Sequence, residues 1–281
     1  MVKNFLQFIW FAPIAMMAWV SGAQADIARP WQLGFQKPES PVMESVVAFH
    51  DLLLIIITVI TLFVLALILY IAVKFNEKSN PVPTKTTHHS TLEVLWTAIP
   101  ILILVVIAVP SFKLLYLQDR TFKPEMTLKV VGQQWYWTYE YPDHGNIKFD
   151  SNMVQTADLK KGQPRLLTVD NPVYLPINTN VRLLLTSTDV IHSWALPALI
   201  QKTDNVPGRT NESWVHIKTA GTYYGQCSEL CGVNHGFMPI MLKAVTKEEF
   251  QAWVTKAKKK FTSVDDQNSR HLAQVNSGSR Q

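Results

Sequence analysis

Cysteine is nearly absent from this chain of 281 residues, and both copies lie in one short stretch, Cys227-Ser-Glu-Leu-Cys231. The sequence has no glycine-rich loop that could cradle a phosphate and no Ser/His/Asp signature, so neither nucleotide hydrolysis nor serine-based acyl transfer is indicated. Internal repeats are absent too, which excludes a repeat architecture. The net charge of +5 comes partly from a basic segment near the C-terminus, and it does not indicate nucleic-acid binding.

Charged residues are missing from three long apolar runs in the first half of the chain. The first run, Phe5 to Val20, follows a lysine and ends at Ala23-Gln24-Ala25, which is typical of a signal peptide cleaved before Asp26. A first transmembrane helix is the alternative, but the run is short and contains a proline. We therefore predict that residues 1–25 are a removed signal peptide.

The second and third runs are long enough to cross a membrane. They cover 52–73 and 94–112, and a bilayer core requires about 20 apolar residues in a helix. Buried helices of a soluble core are the alternative, but uncharged runs of this length are rare there. We predict a transmembrane hairpin within 26–120, with helices at about 45–74 and 92–117.

The loop between the two predicted helices determines their orientation. It reads KFNEKSNPVPTKTTHHS and carries three lysines against one acid, and positively charged loops stay in the cytoplasm. The N-terminus and the C-terminal domain would then both lie outside, in the periplasm of a bacterium. We therefore predict a multi-pass protein of the bacterial inner (plasma) membrane.

The segment 121–245 reads as short β-type runs separated by turns, which favours an antiparallel sandwich. Its first run, MTLKVVGQQWYWTYEY, is predicted to be one long strand. From 246 to 281 we predict a helix followed by a disordered tail after Phe261. The apolar face of that helix consists of Phe250, Trp253 and Val254.

The stretch YGQCSELCGVNHGFMPI combines Cys227, Cys231, His235 and Met238. A disulfide and a zinc site are the simple interpretations of its cysteines. Met238 argues against zinc because a thioether is a soft ligand that suits copper, and His192 follows a β-run that could reach the loop. Two thiolates can bridge two ions, so the ligand count favours a binuclear copper site. The second ion would need an oxygen, which a carbonyl within C-S-E-L-C could supply.

Ordered motifs along the chain resemble subunit II of haem–copper cytochrome c oxidase. They include WQLGFQKPESPVMESVVAFHD, LEVLWTAIP, GQQWYWTYEY, VDNPVYLP, DVIHSWALPAL, KTDNVPGR and YYGQCSELCGVNHGFMPI. The resemblance implies a membrane-anchored α+β protein: a two-helix transmembrane hairpin followed by a cupredoxin-like Greek-key β-sandwich that carries the binuclear copper centre CuA. The implied copper ligands are His192, Cys227, Cys231, His235, Met238 and the carbonyl of Glu229.

The resemblance also implies how electrons reach the centre. Trp135 would be the surface tryptophan through which cytochrome c delivers an electron, although from the residues alone aromatic packing in a sheet is the better explanation. An acidic patch would steer a lysine-rich cytochrome; scattered, solvated acids are the alternative. The patch consists of Glu140, Asp150, Asp170 and Asp189.

Two further glutamates acquire roles through the resemblance. The Glu229 side chain would hold a magnesium ion shared with subunit I. Glu93 would lie at the mouth of a proton path, while Ser90-Thr91-Leu92-Glu93 by itself predicts a capping box with Ser90 as the N-cap. The two roles of Glu93 can coexist.

The function implied is that of an oxidoreductase subunit in a proton-pumping complex. It accepts electrons from cytochrome c and passes them to haem in subunit I, where oxygen is reduced to water. Its partners would be cytochrome c, subunit I, further oxidase subunits and membrane lipid, with no nucleic acid. A membrane-anchored copper-binding or copper-delivery protein without a redox partner is one alternative, and a quinol oxidase subunit, which lacks these ligands, is another.

Overall fold

A computed structural model describes residues 27–119 and 123–261. The predicted signal peptide and the predicted disordered tail lie outside the described residues. Two long helices come first, and a β-sandwich with one closing helix follows them. This order agrees with the predicted fold class of a two-helix hairpin joined to a sandwich.

The two long helices are α1, Pro41–Lys74, and α2, Ser90–Asp119. Their most apolar stretches have mean hydropathies of 3.4 and 2.6, and none of those residues is buried inside the protein. Apolar side chains exposed over such lengths need lipid or other helices around them. Both helices therefore have the length and surface of transmembrane segments.

The N-terminus of α2 differs by one residue from the predicted capping box. His89, and not Ser90, is the cap: its ring Nδ1 accepts a hydrogen bond from the Leu92 N–H at 3.3 Å. The Glu93 carboxylate in turn accepts from the backbone N–H of His89 at 3.1 Å. The helix therefore has the reciprocal hydrogen bonds of a capping box, with His89 in the N-cap position that was predicted for Ser90.

Ten strands form the sandwich. Their bounds are β1 Met126–Gln133, β2 Tyr136–Tyr141, β3 Ile147–Ser151, β4 Val173–Pro176, β5 Asn180–Ser187, β6 His192–Leu196, β7 Ile200–Asn205, β8 Asn211–His216, β9 Gly221–Gln226 and β10 Pro239–Val245. One sheet has the order β3-β2-β1-β5-β8, a second has β4-β10-β9, and β6 pairs with β7. The pairs β1–β5 and β4–β10 are parallel. The sheets are therefore mixed and not antiparallel throughout as predicted, because residue alternation carries no information on pairing direction.

The predicted long strand at Met126 is in fact a hairpin. Gln133 pairs with Tyr136 across a two-residue turn, Gln134-Trp135, and the strands continue antiparallel from there. Trp137, Tyr139 and Tyr141 alternate along β2 and are fully buried. Trp135 belongs to the turn, where it is half-buried and packs against the edge of the core, so part of its ring remains accessible from the surface.

A closing helix, α3, covers residues 247–261. Phe250, Val254 and Ala257 are buried in the sandwich core. Trp253 stacks on Tyr174 with ring centroids 4.9 Å apart. The predicted apolar face of this helix is the face that packs.

Contacts between the helices and the sandwich fix the junction of the two parts. Trp214 on β8 donates its indole N–H to the carbonyl of Leu117 in α2 at 3.0 Å. At the start of α1 the Ser40 side chain caps Met43 and donates to the carbonyl of Leu199. These hydrogen bonds therefore attach the sandwich to both helices, in addition to the covalent connection of the chain.

Candidate metal centre

The ligand loop joins β9 to β10 and is pressed against β6. A Cβ on Gly225 would lie 1.8 Å from the carbonyl oxygen of Ala195, so only glycine allows this approach. A Cβ on Gly132 would lie 2.8 Å from the His192 ring. These two glycines therefore make the space that brings His192, the first residue of β6, to the loop.

Six potential ligand atoms converge at this place. The Sγ atoms of Cys227 and Cys231 are 3.8 Å apart. His192 Nδ1 lies 3.9 Å from Cys227 Sγ. The other donors lie near one sulfur each: His235 Nδ1 3.5 Å and Met238 Sδ 3.5 Å from Cys231 Sγ, and the Glu229 carbonyl 3.3 Å from Cys227 Sγ. All six predicted copper ligands are thus brought together.

The chemistry of this donor set fits copper. Both cysteines are free, and their 3.8 Å separation far exceeds the S–S bond of a disulfide, about 2.04 Å. A thioether joins two thiolates and two imidazoles, which is a soft set of the copper type.

The two histidines lie at opposite ends of the donor set. Among the described residues, His192, Cys227 and Cys231 form a group whose ligand atoms are all within 4.8 Å of one another, and His235 is not a member. His192 adjoins Cys227, whereas His235 adjoins Cys231. The donor set therefore offers one imidazole beside each of the two thiols.

The two thiols differ in acidity. Burial would raise the pKa of Cys227, but hydrogen bonds with His192 and with backbone of Glu229 and Ser193 hold that pKa at about 7. Burial, together with the negative charge of Cys227, raises the pKa of Cys231 to about 12. The metal-free pair therefore carries one thiolate readily, and a second requires a cation nearby to offset the repulsion.

Asp189 supports the ligand His192. Its carboxylate accepts from His192 Nε2 at 2.8 Å and from the backbone N–H groups of Gln134 and Val190 at 2.7 and 2.6 Å. Burial opposes its ionisation, yet these hydrogen bonds lower the pKa of Asp189. Such an outer partner fixes the orientation and tautomer of a metal-binding imidazole. From the sequence, Asp189 is assigned only to docking. Its position three residues before His192 is the sequence feature that could have indicated its contact with that ligand.

Trp135 contacts the ligand loop directly. Its indole N–H donates to the carbonyl of Cys231 at 3.1 Å, and the Gln134 amide donates to the same oxygen at 2.9 Å. A surface cleft of 430 Å³ lies beside the ring and contains Asn234 and Phe237 among its lining residues. The tryptophan therefore links a ligand residue to the protein surface. No feature of the sequence indicates that the Gln134 side chain bonds to the ligand loop.

The other three acids of the predicted patch have local partners. Glu140 forms ion pairs with Lys129 at 2.9 Å and Lys148 at 3.1 Å. Asp150 accepts from the Thr138 hydroxyl at 2.6 Å, and Asp170 accepts from backbone N–H groups of its loops. Asp150 and Asp170 are exposed.

The Glu229 side chain points away from the thiol pair. Lys202 Nζ lies 2.9 Å from both Glu229 Oε2 and Asp204 Oδ1. The Glu229 carboxylate is 42% exposed, while its carbonyl faces Cys227. The carbonyl of Glu229 therefore belongs to the donor set, whereas its carboxylate forms an ion pair with Lys202.

Comparison with known proteins agrees with this site. Residues 126–245 match the family described as cytochrome C oxidase subunit II, periplasmic domain, and residues 28–114 match its transmembrane domain. The chain therefore belongs to the cytochrome c oxidase subunit II family. With this membership the predicted family, fold class and general function are confirmed.

Several relatives illustrate the similarity. "Probable cytochrome c oxidase subunit 2" of Rickettsia bellii is 51% identical over 260 residues, which covers 92% of this chain and 96% of the relative. Cytochrome c oxidase subunit 2 of Phytophthora megasperma is 49% identical, covering 82% and 88%. The crystal structure of the periplasmic domain of subunit II of cytochrome oxidase of Bradyrhizobium japonicum is 50% identical, covering 50% of this chain and 99% of that one, with a TM-score of 0.48.

Proposed function

We propose that this chain receives electrons from cytochrome c at a binuclear copper centre and passes them to haem in subunit I of an oxygen-reducing, proton-pumping oxidase. The convergence of two thiols, two imidazoles, a thioether and a carbonyl carries the proposal. His192, Cys227, Glu229, Cys231, His235 and Met238 are the residues that would hold the copper. When bound there, two copper ions would supply a one-electron carrier.

The protein contributes a rigid frame for these ligands. The side chains of His192 and Met238 are buried, as are both thiols. Trp137 donates its indole N–H to the carbonyl of Met238 at 3.2 Å, which fixes the backbone of that ligand. Donors held by strands and hydrogen bonds cannot rearrange much when the charge at the centre changes. Such a frame favours fast electron transfer because little reorganisation accompanies it.

Electron entry is proposed at Trp135. The indole N–H bonded to the Cys231 carbonyl gives a short connection from the surface cleft to a thiolate ligand. Val233 and Phe237, exposed on the same loop, provide apolar surface beside the ring. We propose that cytochrome c docks over this face and that Asp150, Asp170 and Glu140 contribute to steering.

Further roles of the two glutamates belong to the same proposal. The Glu229 carboxylate is bonded to the Lys202 ammonium, and a magnesium ion shared with subunit I would compete with that cation. Glu93, at the first turn of α2, is proposed to admit protons from the cytoplasm in addition to its bond with His89. In this proposal residues 1–25 are removed, the two helices are surrounded by lipid in a bacterial inner membrane, and the sandwich faces the periplasm.

Electron transfer from cytochrome c tests the proposal against a copper-delivery protein. In the assembled oxidase, reduced cytochrome c should lose one electron to the copper centre before the haem is reduced. A chain that binds copper but is never reduced by cytochrome c, and that releases its copper to an acceptor protein, would instead be a delivery protein.

A further inference from the structure

A loop before the first helix carries two apolar side chains that no other residue in the described ranges covers. Trp31 and Leu33 are each 98% exposed. Both ends of the loop rest on the sandwich, since Ile27 and Gln36 line the same cavity of 290 Å³ as Tyr224. The loop therefore projects from the sandwich with its apolar residues at the tip.

The backbone of the tip holds Trp31 in an uncommon conformation. The Gln32 N–H donates to the Arg29 carbonyl at 3.1 Å, and the Arg29 N–H donates to the Gln32 side chain at 3.0 Å. Within this turn Trp31 has a φ of 59°, in the left-handed region that bulky residues rarely adopt. A tryptophan there suggests that the position of its side chain matters more than local backbone preference.

A contact with α1 places the Phe35 end of the loop relative to the membrane. The Phe35 ring meets the His50 ring edge-on, with centroids 4.9 Å apart. His50 lies two residues before the uncharged run 52–73, whose 22 residues span about 33 Å in a helix, close to the thickness of the hydrocarbon core. The Phe35 end of the loop is therefore near the boundary where that core begins on the sandwich side, and Trp31 and Leu33 lie two to four residues from it in the chain.

The composition of the loop suits this boundary. Tryptophan is enriched at membrane–water interfaces because its ring is apolar and its N–H is polar. Leu33 and Phe35 add apolar area, and the exposed Arg29 adds a positive charge that matches lipid phosphates. An exposed apolar group of this kind marks an interaction site, and continuity with the transmembrane helix identifies lipid as what covers it.

We propose that residues 29–35 form an interfacial anchor that places Trp31 and Leu33 in the headgroup region of the adjacent leaflet, with phospholipid as the partner. The anchor gives the sandwich a third attachment to the membrane besides α1 and α2. It limits tilting of the copper domain over the bilayer. The inference depends on membrane insertion of the hairpin and not on the copper chemistry.

Photo-crosslinking in the assembled oxidase tests the anchor. The variants Trp31→p-benzoylphenylalanine and Leu33→p-benzoylphenylalanine are irradiated in native membranes, and the mass of the chain is measured. We expect a gain of one phospholipid at both positions. The matched control is Thr156→p-benzoylphenylalanine, an exposed position of the sandwich that should gain no lipid.

Two outcomes would overturn the proposal. An adduct between position 31 or 33 and another oxidase polypeptide would show that a protein surface, and not lipid, covers the loop. Unchanged mass at both positions, as at Thr156, would show that the loop faces water. Spectra of the copper centre should be unaffected in all three variants, which separates this test from the proposed function.

Discussion

Individual side chains next to the proposed copper ligands hold those ligands in position. Asp189 fixes His192, while Gln134 and Trp135 share the carbonyl of Cys231. The ligands themselves could be predicted, because two cysteines, a histidine and a methionine within twelve residues of sequence already indicate soft-metal chemistry. The supports from Gln134 and Trp135 could not, because their contacts join residues 96 or 97 positions apart and depend on the turn at Gln134. Asp189 lies only three residues before His192, a spacing that could have indicated its role.

Replacing Trp135 by Phe should slow electron transfer from bound cytochrome c while leaving its binding and the copper spectrum intact. Loss of one hydrogen bond costs ~1 kcal/mol, which corresponds to about a fivefold change in rate. A larger decrease in the electron-transfer rate would therefore show that the electron passes through the indole ring. Stopped-flow reduction of the copper centre measures it. The matched control Gln134→Met removes the other hydrogen bond to the Cys231 carbonyl and retains the ring. Equal effects in both variants would mean that only the carbonyl contact matters.

Replacing Asp189 by Asn should affect the copper centre more than docking. The amide retains a hydrogen-bond acceptor for His192 but loses the charge, and outer partners of this type contribute about 10–100-fold to metal affinity. Copper retention under a competing chelator, together with the spectrum, measures the change. Asp150→Asn, at an exposed acid, should only weaken cytochrome c binding and reduce its salt dependence. Normal copper retention with weakened binding in Asp189→Asn would return that residue to the docking patch.

At the scale of elements, the two membrane helices are defined by the length of their uncharged runs and by the polar residues at the ends of those runs. Both begin and end within about four residues of the predicted limits, because long apolar runs leave little ambiguity. The β1–β2 hairpin was missed since its turn, Gln134-Trp135, contains neither glycine, proline nor asparagine, and strand-type residues flank it on both sides. The cap of α2 was displaced by one residue because a histidine ring replaced the expected serine hydroxyl.

Glu93→Gln separates capping from proton entry at the start of α2. Glutamine can still accept the His89 N–H, so the helix and the copper centre should remain intact. If the carboxylate admits protons, steady-state oxygen consumption falls severalfold while reduction of copper by cytochrome c keeps its rate. Oxygen uptake and stopped-flow reduction on the same preparation measure the two quantities. Unchanged oxygen consumption would leave Glu93 with the structural role alone.

Helix α3 should stabilise the sandwich substantially. Phe250 is 2% exposed, and truncating a buried phenylalanine to alanine costs about 3–5 kcal/mol. Phe250→Ala should therefore lower the free energy of unfolding of the sandwich domain by that amount, measured by denaturant unfolding. The exposed neighbour Gln251 provides the control, since Gln251→Ala should change it little. A cost below about 1 kcal/mol for Phe250→Ala would mean that α3 only rests on the surface.

At the scale of the whole molecule, a hairpin in the membrane carries a metal-binding sandwich held by side-chain contacts. The junction at Trp214 and Leu117 ties the position of the ligand loop to the helices, which suits a centre that must lie at a fixed distance from a haem in another subunit. Motif order identified the family and the two-part plan from the sequence. The folded structure was needed to establish how the strands pair, including the parallel contacts of β1 with β5 and of β4 with β10, and how β8 is attached to the helices. These contacts join segments that are far apart in the chain.

The copper content of the folded chain tests the central claim most directly. The chain should bind two coppers, and electron paramagnetic resonance of the oxidised centre should show one unpaired electron shared equally by both copper nuclei. Met238→Leu should retain both ions and shift the reduction potential, since a weak axial ligand tunes the site. One copper per chain, or a signal from a single localised copper, would contradict the binuclear centre and the electron-transfer function built on it.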